Sequence, residues 1–141
     1  KRPQSIPQAL FYGGAAADSD NLWFGVTLEN QRAADERRPH IKRLHRLGYR
    51  NLFVSNEPAL SPIDWEPWTK LVRWIIAGGE SGPGARWTYP DWFRMARDAA
   101  KEAKIPFLFK QWGTSKNEDS LSNAAANDAG RNPKEKKGGR L

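Results

Sequence analysis

The chain of 141 residues suits a single domain of ordinary size, and its 38% hydrophobic and 11% aromatic content, with seven Trp, is too apolar for a disordered protein. It has no cysteine, which excludes disulfides, thiolate metal sites and any cysteine-ligated iron–sulfur cluster carried by this chain, so no cofactor is expected in it alone. The net charge of +7 is compatible with an anionic partner; no run approaches the roughly 20 apolar residues of a membrane helix and KRPQSIPQAL lacks a signal-peptide core, so the expectation is a cytoplasmic protein with no membrane partner.

In chain order, the short apolar stretches LWFGVTL (22–28), NLFVS (51–55), WIIAG (74–78) and PFLFK (106–110) are rich in β-branched and aromatic residues and bounded by Gly, Pro, Asn or Asp. They read as strands. Because they are nearly continuous rather than alternating, they resemble strands covered on both faces, as in a parallel sheet. After the first strand, Asn30 caps a short helix through about Arg37, and Pro39 suits the first position of a second helix ending at Gly48. EPALSPIDWEPWTKLVR holds three prolines and supports only a short helix and loop. PDWFRMARDAAKEAK (90–104) is the clearest helix, with Trp92 or Phe93, Ala96, Ala99 or Ala100 and Ala103 on one face. Alternating strands and helices predict an α/β fold with a four-stranded parallel sheet, a half barrel over residues 1–112. Residues 113–141 lack apolar periodicity and read as a flexible basic tail.

Each predicted strand stops at a polar side chain: Glu29 in TLEN, Glu57 in SNEP, Glu80 in GGES, and Lys110 with Gln111 in FKQWG. In parallel α/β sheets, binding and catalytic groups gather at the carboxyl ends of strands, so these residues should share one rim. Gly78 and Gly79 let backbone or ligand approach Glu80, and Gly82, Pro83 and Gly84 shape a loop with exposed amides. The candidate ligand-binding set is therefore Glu29, Asn30, Glu57, Gly78, Gly79, Glu80, Ser81, Lys110 and Gln111; no residue is singled out as catalytic. Its carboxylates suit ribose or amine groups or a hard cation, and Lys110 suits a carboxylate or phosphate.

Other motifs fail on detail. GESGPGAR has Ala85-Arg86 in place of the Lys and Ser/Thr of a phosphate-binding loop, and it lacks the last glycine of a nucleophile elbow. His40 and His45 are five residues apart and fall on different helix faces, unlike paired zinc ligands. Asn-Glu-Pro at a strand end resembles a glycosidase acid/base motif, but Glu57 and Glu80 lie on adjacent strands, too close in the chain for that pair.

Five co-linear segments, LWFGVTLENQRAADERRP, LFVSNEPALSPID, WIIAGGESGPGAR, PDWFRMARDAA and IPFLFKQWG, resemble the C-terminal half of an uncharacterised phage and bacterial family that is itself similar to radical-SAM partial TIM barrels. The opening KRP and closing KKGGRL fit the same resemblance, which also implies a three-Cys-motif partner protein. It implies S-adenosylmethionine and an iron–sulfur cluster in a full-length relative, whose cysteine-bearing N-terminal half is absent from this chain. Asn56 stands where the resemblance implies a small residue. A half barrel leaves edges and an inner face uncovered, so a homodimer or a chain supplying the missing half is the expected partner. The alternative is a noncatalytic nucleic-acid-binding or protein-interaction module, with weak contacts to nucleic acid from Arg37, Arg38, Lys42, Arg43, Arg46 and Arg50 in the basic run 32–50.

Overall fold

The structure, a computed structural model, describes residues 21–114. The KRP opening and residues 115–141 of the expected tail lie outside the described residues. The element order is β1 (Phe24–Thr27), α1 (Gln31–Arg46), β2 (Leu52–Asn56), α2 (Glu66–Thr69), β3 (Trp74–Gly78), α3 (Pro90–Glu102) and β4 (Phe107–Gln111). All neighbouring strands pair in parallel, in the order β1-β2-β3-β4. The α/β fold with a four-stranded parallel sheet is the architecture expected from the alternating segments, and each strand lies within two residues of its predicted bounds.

One face of the sheet is buried. Val26 and Leu28, Leu52 and Val54, Ile75 and Ala77, and Phe109 pack with Ala34, Ile41 and Leu44 of α1, Trp65 and Trp68 around α2, and Phe93, Ala96 and Ala100 of α3 in two adjoining apolar clusters. The opposite face departs from the expectation of strands covered on both sides. Gly25 and Leu108 are exposed there, and Phe53, Ser55, Trp74 and Ile76 are only half-buried. A continuous apolar run therefore does not require two covered faces. Here the aromatic rings on the open face cover one another: Trp74 packs against Trp23 at 6.1 Å and against Phe53 at 6.0 Å between ring centroids. Phe53 also lies across Gly25, where any side chain would meet its ring.

The predicted break before Pro39 is overturned, since α1 runs unbroken through it. Proline removes the amide that would bond to the Asp35 carbonyl. Ala33 and Ala34 before it, and Ile41 and Leu44 after it, are all buried on one face of the helix. Burial of that common face on both sides of the proline outweighs the lost hydrogen bond, as tertiary packing commonly outweighs propensity. α3 ends at Glu102, two residues short of the predicted end, and Lys104 adopts a left-handed φ of 56° in the turn that leads to β4. Phe93, rather than Trp92, is its buried aromatic.

Pro39→Ala restores a donor on an exposed helix position without disturbing the core. Its expected effect is stabilisation by about 1–2 kcal/mol, below the full ~3 kcal/mol propensity difference because the flanking packing already fixes the helix. Urea denaturation checks this: the midpoint should rise at unchanged slope.

Candidate functional site

Because the strands are parallel and adjacent, their carboxyl ends lie on a single edge of the sheet. Glu29 follows β1 by two residues, Glu57 follows β2 directly, Glu80 follows β3 by two, and Lys110 and Gln111 end β4. The structure thus brings these predicted residues to one rim.

Glu57 is the hub. Its Oε2 accepts from Lys110 Nζ at 3.0 Å and its Oε1 accepts from Gln111 Nε2 at 3.0 Å. The same Nε2 faces Ser81 Oγ at 2.5 Å and the Gly79 carbonyl at 3.4 Å, so one amide links the ends of β2, β3 and β4. Below the rim, buried Asn56 donates from Nδ2 to the Leu28 carbonyl at 2.6 Å, which gives this departure from a small residue a role in tying β1 to β2. The β2–α2 loop is fixed across the same edge: the Ala59 amide donates to the Gly78 carbonyl at 3.0 Å and the Leu60 amide to the Glu29 carbonyl at 2.8 Å.

The other two carboxylates have their own cations. Glu29 Oε2 accepts from Arg37 Nη1 at 2.5 Å, and the same guanidinium nitrogen donates to the Thr27 carbonyl. Glu80 receives Arg86 bidentately, Nε to Oε2 at 2.8 Å and Nη2 to Oε1 at 2.6 Å, while the Arg86 backbone amide donates to Oε2 at 2.8 Å. Hydrogen bonds from the Arg86 side chain first, and then from its backbone amide, hold the Glu80 carboxyl down at about 2. Reciprocally, Glu80 raises the Arg86 pKa, with a smaller contribution from Glu29 across the rim. Three carboxylates therefore share an edge without sharing a coordination sphere. No group of three His, Cys, Asp or Glu residues able to hold a metal ion occurs among the described residues. With no cysteine in the chain, its residues do not fit an iron–sulfur cluster either.

The remaining candidates divide. Asn30 is spent on the backbone, its Oδ1 accepting from the Ala33 amide at 2.9 Å as the cap of α1. Gly78 lies beside the Glu57 carboxyl, and Gly79 is pressed against the carbonyl of Trp112, so the close approach foreseen at this glycine is made by the chain's own β4 end. Of the basic run, Arg37 turns to the rim and is only 15% exposed in its side chain. Arg38, Lys42 and Arg46 line a separate cleft between α1 and α2. Arg43 lies on α1 but does not line that cleft, and Arg50 lies beyond the helix in the exposed approach to β2. Arg37 and Arg86 are rim residues that the motif reading did not place there. Their signal was the short spacing to a strand-end glutamate, eight residues from Glu29 and six from Glu80.

Fold and site together define a two-layer parallel α/β protein, helices on one face of the sheet, with a charged, hydrogen-bonded rim at its strand carboxyl ends. A family model described as "Protein of unknown function (DUF5131)" matches residues 1–139, and the chain belongs to that family. Neither a curated protein nor a solved structure matches it. No helix among the described residues is long and apolar enough to cross a membrane.

Two outcomes follow from the rim. A Cβ at position 79 would fall on the Trp112 backbone, which cannot swing aside as a side chain can, so Gly79→Ala should destabilise by about 1–3 kcal/mol in urea melts. Gly82→Ala, with open space around it but a φ of +111°, is strained only by its own backbone and should cost less, about 1 kcal/mol. Glu80 should titrate near 2 by carboxyl NMR, and in Arg86→Ala the midpoint should move back toward the ordinary value of 4.5. Since the folded-state value is depressed, the stability contributed by the Glu80–Arg86 pair is present above pH 4.5 and is lost as the pH falls toward 2.

Proposed function

We propose that the rim binds a small zwitterionic molecule, and that the chain supplies the ligand-binding half of a radical-SAM-like barrel, with S-adenosylmethionine as the ligand. The observation that carries this reading is an asymmetry in the rim ion pairs. Glu57 and Glu80 are held in place at 20% and 25% exposure, whereas their partners Lys110 and Arg86 stand 56% and 61% exposed. The single contact from Lys110 to Glu57 is worth little, on the order of 0–1 kcal/mol for a half-exposed pair, so an incoming ligand exchanges it cheaply. A ligand ammonium takes the place of Lys110 on Glu57. The displaced Lys110, or Arg86, then pairs with the ligand carboxylate.

Glu57 and Lys110 lie two residues beyond Ser55 and Leu108 on the open face of the sheet, where half-buried Ser55 and Ile76 and exposed Leu108 are in register. That places a partly apolar floor next to the charged groups, the combination typical of small-molecule sites. A complementary half barrel packed on this face would close the site from above. S-adenosylmethionine supplies a sulfonium and a transferable or cleavable alkyl group; this chain's residues orient its amino-acid end. Reductive cleavage would need a cluster whose ligands this chain does not contain.

Titration of S-adenosylmethionine into the isotope-labelled chain tests the reading. Amide shifts should concentrate at 57, 79–81 and 110–111. Glu57→Gln should weaken binding about tenfold, the loss of one charge-assisted hydrogen bond. Shifts that map instead to α1, or an affinity that Glu57→Gln leaves unchanged, would sink it.

A further inference from the structure

The rim accounts for one cation of α1, and a second feature of that helix is independent of it. Arg38, Lys42 and Arg46 follow one another at four-residue intervals and face α2 across a cleft of about 640 Å³. Pro39 and Pro67 stiffen its walls, and Leu71 lends it an apolar surface. On the far wall Lys70 pairs with Glu66, the only acidic residue among the described residues that line the cleft. The lining therefore carries four cations against one carboxylate.

What separates this cleft from an ordinary solvated helix face is the fate of its charges. The other arginines near the start of α1 are neutralised within the fold, Arg32 by Glu36 and Arg37 by Glu29. Arg38, Lys42 and Arg46 have no carboxylate within ion-pair distance among the described residues, and they lie in a concavity where their fields add. Their repulsion is a standing cost unless an anion offsets it. At about 1.5 Å per residue the three span about 12 Å, the run of three to four nucleotides of one strand at about 3.4 Å each. No aromatic ring lines the cleft among the described residues, which offer charge and shape but no stacking platform.

We infer that the α1–α2 cleft is a phosphodiester-binding site that grips the backbone of a nucleic acid without reading its sequence. Arg38, Lys42 and Arg46, about 6 Å apart along the helix, contact phosphates spread along that run of one strand, and Lys70 joins them when it swings from Glu66. Such contacts position a polymer and carry no base discrimination.

The test is fluorescence anisotropy of the full chain with a labelled oligonucleotide of mixed sequence, from about 50 mM to about 200 mM KCl. Three to four phosphate contacts predict a slope of log affinity against log salt of about −2 to −3.5. The double variant Lys42→Gln with Arg46→Gln should lose about 1.5 from the slope and about tenfold or more in affinity at the lower salt. A second double variant, Arg32→Gln with Lys101→Gln, removes the same net charge outside the cleft and should keep the wild-type slope. Circular dichroism melts establish that both fold. Absence of binding at low salt, equal losses in the two variants, or a marked preference among oligonucleotide sequences would overturn the inference. Displacement by an equal phosphate concentration of inorganic triphosphate would also overturn it, because the site would then belong to a small polyanion.

Discussion

Four strands that all run in the same direction, each beside its chain neighbour, force a consequence that no side chain chooses: the chain must travel back across the sheet three times, and every return starts from the same edge. The returns bury one sheet face under α1, α2 and α3 and bring three loops and the end of β4 together at the other feature they share, the carboxyl rim. Parallelism thus fixes in a single step which face is core, which is open and where polar groups can meet. Asn56 is the internal lock on that arrangement, a buried amide whose donor is satisfied by the neighbouring strand's carbonyl. A buried polar group of this kind is tolerated because its hydrogen bond is made, and it would be costly in any other register.

Charge is distributed over the rim in a way that opposes convergence on a metal. Three carboxylates brought together without cations would raise one another's pKa values. Instead each has a cation of its own, from the adjoining helix, from the following loop or from β4, two strands along the sheet from β2. The Glu80–Arg86 pair also fixes the loop between them, with the Arg86 amide and guanidinium both directed at one carboxylate. Gly113, at a φ of +92°, lies against the Glu80 backbone, and the Thr114 amide donates to the Glu80 carbonyl at 2.9 Å. The rim is consequently a row of ion pairs on a backbone held by its own hydrogen bonds.

Helix α1 serves three surfaces at once because about 3.6 residues per turn send neighbouring positions in different directions. Ala34, Ile41 and Leu44 enter the core; Arg37 reaches the rim; Arg38, Lys42 and Arg46 descend along the cleft. Pro39 sits on the exposed side, where the missing amide disturbs none of these assignments.

The sequence by itself determined the elements and their order, because short β-branched runs between Gly, Pro and Asn have few other ways to bury themselves, and an alternating series of strands and helices favours parallel pairing. From that alone Glu29, Glu57, Glu80, Lys110 and Gln111 could be assigned to one edge, since strand direction carries every strand end with it. Continuity of α1 through Pro39 was not legible, for a local penalty of proline can be read from one residue while the burial that overcomes it depends on helix and sheet meeting. Nor could the basic run be divided: Arg37 and Arg38 are adjacent in the chain, and only the position of α1 against the sheet sends one to Glu29 and the other toward α2. Tertiary structure likewise decided that Gly79 meets backbone rather than ligand, and that each rim carboxylate has its own cation, because both depend on distances between segments tens of residues apart, which local propensity and spacing do not encode.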